Sequence, residues 1–174
     1  MPILSPHNLK AWVEEHRELL KPPVGNKMVW GDGEFLVMVV GGPNRRKDFH
    51  IEDGEEFFYQ IEGDITVRVI EDGKVKDIPI REGEIFLLPA GVPHSPQRPA
   101  NTVGLVVERQ RKTSELDHLR WYCEECGEEL HDASFPLEDL GTQLKPIIEG
   151  FFADESLRTC KKCGTVMQPP AAAS

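Results

Sequence analysis

The sequence has no long hydrophobic run, and stretches such as residues 35–40 are far too short to cross a bilayer. It also has no basic excess, because 20 Lys and Arg stand against 30 Asp and Glu, giving a formal net charge of −10. A chain this acidic is repelled by polyphosphate, which argues against nucleic-acid binding. Residues 1–5 lack a basic region followed by an apolar stretch, so we expect neither a signal peptide nor a membrane partner.

Cysteine is also scarce, and its four copies fall into two C-x-x-C pairs, Cys123 with Cys126 and Cys160 with Cys163. Each pair is followed by a glycine, which lets backbone N–H groups turn toward the sulfur atoms, as in rubredoxin and zinc-ribbon knuckles. Four thiolates predict a closed tetrahedral site for structural Fe or Zn, and the spacing does not choose between the two metals. Because thiolates persist in a reducing compartment, we expect a cytoplasmic protein.

The four-cysteine site is interpreted as a metal staple that fixes a short, loop-rich C-terminal segment. Two alternatives stay open: a contact module for a protein or a nucleic acid, and an iron site for electron transfer. The acidic balance of the chain counts against the nucleic-acid version.

The composition, 39% hydrophobic and 29% charged over 174 residues, suits one globular domain plus an appendage. Apolar residues at helical spacing follow a plausible N-cap, Asn8, and predict a helix over residues 8–20. Short runs rich in Val, Ile and Phe, separated by turn signals, predict strands at residues 27–30, 34–40, 56–61, 65–70, 74–80, 84–88 and 102–109. This all-β pattern indicates a sandwich or a small barrel.

The predicted strand pattern ends near residue 112. We therefore divide the chain into a barrel domain, residues 1–112, and a C-terminal metal-binding extension, residues 113–174. A further helix is predicted over residues 144–153, between the two cysteine pairs. The extension carries all four cysteines, so the predicted metal staple lies outside the barrel.

Three potential metal ligands, His50, Glu56 and His94, lie in two blocks of the barrel domain. Two neutral imidazoles and one carboxylate on rigid strands suit a first-row divalent metal. If the three ligands occupy one face of an octahedron, three positions stay open, which is the pattern of non-haem Fe(II) oxygenases.

The two blocks resemble the paired motifs of the cupin family, which implies a jelly-roll barrel. The second block, GEIFLLPAGVPH at residues 83–94, fits G-x5-P-x-G-x2-H at every fixed position. The first block fits H-x-H-x3-E-x6-G except at one position, where Glu52 replaces the second histidine. This departure favours three ligands over four, and we interpret Glu52 as a solvated loop acid.

Three charged residues flank or follow these motifs. Arg46 lies four residues before His50, and Arg98 lies four residues after His94, so both arginines could reach the barrel mouth. Either arginine alone is ordinarily a surface residue, but the planar guanidinium suits recognition of a carboxylate. Glu108 interrupts an apolar strand; it lines the cavity in one register of that strand and is solvated in the other.

Six short strings make the chain similar to the 3-hydroxyanthranilate 3,4-dioxygenase family, in its bacterial form with an added four-cysteine iron site. They are KPPVGN at residues 21–26, VVGGPN at 39–44, EEFFYQ at 55–60, IFLLP at 85–89, HSPQRP at 94–99 and VERQR at 107–111. The resemblance implies a homodimer that cleaves the ring of 3-hydroxyanthranilate with O2. The product would be 2-amino-3-carboxymuconate semialdehyde, which closes without an enzyme to quinolinate, a precursor of NAD.

The same resemblance implies roles for individual residues. The three metal ligands named above would hold catalytic Fe(II), and the four cysteines would hold a second iron remote from catalysis. Arg98 and Glu108 would contact the substrate, and Glu108 would accept its proton. Arg46 would lie near the substrate and O2, and Asn26 would help to close the pocket.

Two other functions stay open on the sequence alone. The first is a non-redox metal cupin, an isomerase or lyase, which would hold Zn or Mn and show no O2 uptake with aminophenols. The second is a non-catalytic ligand-binding cupin, which would bind a ligand tightly without turnover.

Overall fold

A computed structural model describes residues 3–22, 25–138 and 140–170; Pro23 and Val24 of the string at residues 21–26 lie outside this part. Helix α1 (Leu9–His16) and a 3₁₀ turn (Arg17–Leu20) open the described chain. The strands are β1 (Asn26–Trp30), β2 (Phe35–Gly41), β3 (Phe49–Ile51), β4 (Glu56–Glu62), β5 (Ile65–Glu71), β6 (Lys74–Ile80), β7 (Ile85–Leu88), β8 (His94–Gln97), β9 (Val103–Arg109), β10 (Asp117–Tyr122) and β11 (Glu129–Phe135). Helices α2 (Leu140–Ala153) and α3 (Glu155–Arg158) follow. In the described part, no helix is long and apolar enough to cross a membrane.

The strands form two antiparallel sheets that face each other across the barrel core. One has the order β1-β2-β9-β4-β7, and the other has the order β11-β10-β3-β8-β5-β6. The core between them is apolar and consists of Met38, Phe58, Ile65, Val67, Val69, Ile80, Leu88 and Val106. Each of the seven predicted strands is present, with ends that differ by at most one residue. The predicted all-β jelly-roll barrel with an N-terminal helix is therefore confirmed.

The N-terminal helix packs on the outside of the first sheet. The Asn8 side chain accepts a backbone N–H hydrogen bond of 3.0 Å and so caps the helix start. Trp12 and Val13 are buried in a second apolar cluster against that sheet. Gly41 permits this close approach, because a Cβ atom there would lie 2.0 Å from the Leu20 carbonyl oxygen.

The prediction that the strand pattern ends near residue 112 is wrong, because β10 and β11 extend the second sheet. Strand β10 pairs antiparallel with β3, and Leu119 lies opposite His50. Asp117, Leu119 and Trp121 are the buried residues of β10. Because the first of them is charged, the alternation of apolar and polar residues that indicates a strand is not apparent in the sequence. The division at residue 112 itself stays a prediction, with β10 hydrogen-bonded into the barrel sheet.

A third apolar cluster joins β10 to the C-terminal helices. Trp121 is fully buried, and its ring stacks on that of Phe151 with 4.2 Å between centroids and 12° between planes. Leu119 and Met167 complete the buried part of the cluster. The predicted helix over residues 144–153 is present and begins four residues earlier, at Leu140.

Replacing Phe151 with Ala should lower the free energy of unfolding by about 3–5 kcal/mol, because it leaves a cavity against Trp121. Denaturant unfolding of the metal-replete protein measures this, with Val75→Ala as the control because Val75 is 56% exposed. A loss below about 1 kcal/mol for Phe151→Ala would show that this cluster does not stabilise the fold.

Candidate metal and substrate site

The structure brings His50, Glu56 and His94 together at the junction of the two sheets. His50 in β3 and His94 at the start of β8 are direct cross-strand partners, and Glu56 begins β4 in the other sheet. One potential ligand atom from each residue lies within 4.8 Å of the other two. All three side chains are buried. The group therefore offers two ring nitrogens and one carboxylate to a single point inside the barrel.

The contact between His94 and Glu56 fits a shared metal ion. The Val92 carbonyl accepts a hydrogen bond of 3.0 Å from His94 Nδ1, which leaves Nε2 as the lone-pair nitrogen of a neutral ring. That nitrogen lies 2.7 Å from Glu56 Oε2, which has no hydrogen-bond donor among the described residues. Two such groups at this distance are satisfied by a shared proton or by a metal ion bound to both.

His50 is oriented by a carboxylate from strand β10, which is not among the strands predicted from the sequence. Its Nε2 donates to Asp117 Oδ2 over 2.6 Å, which leaves Nδ1 for a metal ion. Burial lowers the pKa of His50, so the ring is neutral at physiological pH, as metal binding requires. Burial alone would raise the pKa of Asp117, but hydrogen bonds from His50 and Arg111 outweigh it and lower the pKa. Asp117 is thus an ionised hydrogen-bond partner of the candidate metal ligand His50.

A cavity of about 100 Å³ opens onto the three ligands. Its walls combine polar and apolar side chains: Asn26, Met38, Val40, Asn44, Arg46, His50, Glu56, Phe58, His94, Pro96, Arg98, Val106, Glu108 and Leu144. All four substrate or oxygen contacts predicted from the sequence are among them. Leu144 belongs to α2, so the C-terminal segment also forms part of the cavity wall.

Arg98 presents an unpaired cation to this cavity. The residue is 3% exposed, and its Nη1 has no hydrogen-bond acceptor among the described residues. Burial lowers the pKa of Arg98 to about 10, which still leaves the guanidinium charged at neutral pH. Its backbone is fixed by a hydrogen bond of 2.9 Å to Asn44 Oδ1. A buried cation with a free N–H donor is suited to an anionic ligand.

Arg46 and Asn26 line the same cavity wall but differ in their partners and positions. The guanidinium of Arg46 already pairs with the buried carboxylate of Asp48, through Nε at 3.0 Å and through Nη2. Asn26 begins β1 and lies opposite Val40 in β2, at the open end of the sheet. Arg46 therefore offers its remaining N–H groups, whereas Arg98 offers a buried Nη1 that has no hydrogen-bond partner among the described residues.

Glu108 faces the barrel interior, so the strand has the register that puts its carboxylate in the cavity. The residue is 3% exposed, and it lies opposite Glu56 in the β4–β9 pairing. Burial and the charge of Glu56 raise the pKa of Glu108 to about 7, against the opposing effect of Arg111. A carboxylate with this pKa can accept and return a proton near neutral pH.

The interpretation of Glu52 as a solvated loop acid is wrong. Glu52 is 4% exposed, and its Oε2 lies 2.9 Å from Arg111 Nη2. Burial and the charge of Glu108 raise the pKa of Glu52 to about 10, so it is protonated at neutral pH. The residue in the place of the second cupin histidine thus faces a buried arginine and is absent from the metal-ligand group found among the described residues.

Sequence reasoning missed two residues of the site, Arg111 and Asp117. Arg111 is the last residue of the string at residues 107–111, but the sequence pattern assigns it no role in the site. Asp117 had no such signal, because it comes to His50 only through the pairing of β10 with β3. Pairing between distant strands is not visible in local periodicity.

The four cysteines form a second, separate group. Their sulfur atoms lie within 4.8 Å of one another, with 3.5 Å between Cys123 and Cys163 and 3.6 Å between Cys126 and Cys160. A tetrahedral metal with bonds of about 2.3 Å needs sulfur separations of about 3.8 Å. In both knuckles a glycine N–H donates over 2.9 Å to the carbonyl of the first cysteine. The four sulfur atoms therefore lie close to the arrangement that one tetrahedral metal ion requires.

A β barrel that encloses two imidazoles and one carboxylate is the arrangement of a metal-binding cupin. A family model described as 3-hydroxyanthranilic acid dioxygenase matches residues 1–152, and the chain belongs to that family. It is 53% identical over 168 residues to 3-hydroxyanthranilate 3,4-dioxygenase of Xanthomonas campestris pv. campestris, covering 97% of this chain and 95% of the relative. It is 49% identical over 165 residues to the enzyme of that name from Bacillus thuringiensis, covering 94% and 92%.

Among solved structures, the chain is similar to a cupin-2 domain containing protein from Shewanella frigidimarina. The TM-score is 0.47 and the identity 18%, over 56% of this chain and 91% of that one. The same fold comparison pairs it with protein NMB1881 from Neisseria meningitidis, at a TM-score of 0.48 and 21% identity, over 61% of this chain and 100% of that one.

Replacing Cys123 with Ser should destabilise the C-terminal segment strongly while sparing single-turnover chemistry in the barrel. The loss should exceed about 4 kcal/mol, because loss of a metal is among the few single-residue effects of that size. Thermal unfolding with metal analysis measures it, and Lys162→Ala, at an exposed residue of the second knuckle, is the control. A stable variant with impaired single-turnover chemistry would instead indicate a redox role for the cysteine site.

Proposed function

We propose that this protein is a ring-cleaving dioxygenase that converts 3-hydroxyanthranilate and O2 into 2-amino-3-carboxymuconate semialdehyde, which then cyclises to quinolinate for NAD synthesis. The observation that carries the proposal is the buried His50–Glu56–His94 group beside the unpaired guanidinium of Arg98. The relatives that share the fold over nearly their whole length bear the name of this activity. Four clustered thiols support a cytoplasmic location, where they stay reduced.

The donor set supports Fe(II) at the barrel site. His50, Glu56 and His94 would hold the ion through two neutral nitrogens and one carboxylate oxygen, which leaves positions for other ligands. When bound there, Fe(II) supplies the Lewis acidity and redox chemistry that joins an aminophenol to O2. The four cysteines would hold a second, structural Fe or Zn.

The cavity residues have distinct tasks in this proposal. Arg98 pairs with the substrate carboxylate, because it lines the cavity and its buried Nη1 has no hydrogen-bond partner among the described residues. Glu108, with a pKa near 7, accepts the proton of the substrate hydroxyl. Arg46 holds its N–H groups near the substrate and O2, with its orientation fixed by Asp48. Asn26 helps to close the cavity from the end of β1.

An exposed apolar face supports assembly into a homodimer. The outer surface of the first sheet presents Phe35, Ile85 and Leu87, which are 58%, 66% and 53% exposed. Phe57 and Val107 lie between them and line a surface cavity of about 290 Å³. An apolar patch of this kind on a folded domain marks an interaction surface. The proposed partner is a second copy of this chain, with neither nucleic acid nor membrane involved.

The decisive experiment loads the protein with Fe(II) without air, adds 3-hydroxyanthranilate, and then admits O2. The proposal predicts O2 uptake, absorbance of the semialdehyde, and its slow decay to quinolinate. Zn-loaded protein is the control and should bind substrate without O2 uptake. Full Fe(II) occupancy with tight binding but no O2 uptake would contradict the proposal and favour a ligand-binding cupin. Substrate conversion without O2 would favour an isomerase or lyase.

Replacing Arg98 with Met should raise KM by about 10- to 100-fold and lower turnover, because a charged hydrogen bond to the substrate is lost. Steady-state kinetics with iron analysis test this, since the iron content should be unchanged. Arg81→Met is the matched control, because Arg81 is a surface arginine with 70% side-chain exposure. Unchanged kinetics for Arg98→Met would remove Arg98 from the site.

The pH dependence of kcat/KM should follow Glu108. Because the carboxylate accepts a proton only when ionised, activity should fall as the pH drops below about 7, approaching tenfold per unit. Glu108→Gln should lower activity at all pH values and remove this acidic limb. An unchanged acidic limb in the variant would assign the titration to another group.

Replacing Leu87 with Lys should dissociate the proposed homodimer, because it places a charge in the apolar face. Analytical ultracentrifugation measures the mass, which should be about twice 19.6 kDa for the native protein. Val75→Lys, on strand β6 of the other sheet, is the control at 56% exposure. A monomeric native protein would contradict this part of the proposal.

A further inference from the structure

Arg111 is the centre of a buried ion cluster just after the end of β9. Its side chain is 8% exposed, and it contacts the carboxylates of Glu52, Glu108 and Asp117. These three acids are 3%, 3% and 1% exposed at their side chains. Arg111 is absent from the lining of the catalytic cavity, so it sits behind that wall.

The guanidinium fork uses different edges for different acids. Nε and Nη2 bind both carboxylate oxygens of Asp117, over 3.0 and 2.8 Å. Nη1 donates to Glu108 Oε2, and Nη2 also lies 2.9 Å from Glu52 Oε2. This planar two-sided arrangement is available to arginine but not to the point charge of lysine.

Two of these acids contact different parts of the proposed site. Asp117 Oδ2 also accepts the hydrogen bond from His50 Nε2, so it sets the orientation of one proposed metal ligand. Glu108 lines the cavity where the substrate would bind. The described contacts therefore form one chain from His50 through Asp117 and Arg111 to Glu108.

We propose that Arg111 is a positioning residue: its single guanidinium holds both the acid that orients His50 and the acid that faces the substrate. The inference rests on the proposed function and deepens it, since it couples metal binding to substrate binding through a residue that touches neither. Without the guanidinium, Asp117 and Glu108 lose their shared partner while Glu56 remains close by. Each carboxylate then turns away from its neighbours, and both His50 and the substrate lose a fixed contact.

A purely structural ion pair would predict a different outcome, namely lower stability with unchanged site properties. Arg109 provides the matched control, because it lies two residues earlier and binds both oxygens of Glu115 over 2.7 and 2.8 Å. That pair lies near the surface, with 30% exposure at the arginine side chain. Arg109→Met and Arg109→Lys therefore remove a comparable pair outside the cavity.

The first measurement titrates Co(II) into protein whose cysteine site is filled with Zn, and records the dissociation constant and the visible spectrum. Arg111→Met should weaken Co(II) binding by about 10- to 100-fold and change the spectrum, as losses of partners of metal ligands do. Arg111→Lys should recover part of the affinity. Both Arg109 variants should stay within about twofold of the native protein.

The second measurement determines kcat and KM with saturating Fe(II), so that weaker metal binding no longer contributes. Arg111→Met should still have kcat/KM lowered by at least about tenfold, because Glu108 is no longer aimed at the substrate. Should this variant fail to fold, two other variants carry the same two measurements. They are Arg111→Lys and the double variant Arg111→Met/Glu52→Gln, in which residue 52 cannot become an unpaired carboxylate.

Native Co(II) affinity, native spectrum and native kcat/KM in a folded Arg111 variant would overturn the proposal, whatever its melting temperature. The Co(II) measurement needs no turnover. It therefore still decides whether Arg111 positions His50 if the native enzyme fails to consume O2, an outcome that would remove the proposed function alone.

Discussion

Compensation of buried negative charge is the constraint on which this barrel depends. Glu52, Glu56, Glu108 and Asp117 are each less than 9% exposed and lie around one point of the interior. An ionised carboxylate without a partner in such a place costs several kcal/mol. Each acid avoids that cost differently: Asp117 by hydrogen bonds from His50 and Arg111, Glu108 by its contact with Arg111, Glu52 by staying protonated, and Glu56 by its contact with His94. A metal ion held by His50, Glu56 and His94 would therefore contribute to the charge balance as well as to the proposed chemistry.

The metal ligands were predictable because their information is local. The motifs fix the spacing of His50, Glu56 and His94, and the strands that carry them begin or end within a residue or two of motif positions. The cysteine knuckles are local in the same sense. Glu108 was predictable up to a choice of two registers, and only the pairing of β9 with β4 selects the inward one.

The partners of these residues were not predictable, because they depend on long-range pairing. Glu52 follows the end of β3 and looks like a loop acid until Arg111 is placed beside it. Asp117 reaches His50 only because β10 adds to the sheet next to β3, although 67 residues separate the two side chains. No periodicity in the neighbourhood of Asp117 encodes that contact.

The C-terminal segment is consequently more than an appendage to the barrel. The buried face of strand β10 supplies Asp117 to the candidate metal site and Trp121 to the apolar cluster with α2. Helix α2 in turn places Leu144 in the wall of the cavity that opens onto His50, Glu56 and His94. Cys123 directly follows β10, and Cys160 and Cys163 come shortly after α3. A metal bound by the four cysteines would therefore fix the strand that orients His50.

Anomalous diffraction at the iron edge, from crystals grown with Fe(II) without air, tests the central claim most directly. In the barrel, a peak is expected at roughly 2 Å from a nitrogen of His50, a nitrogen of His94 and an oxygen of Glu56, with Glu52 still on Arg111. An iron ligated by Glu52, or either imidazole turned away from the ion, would contradict the account.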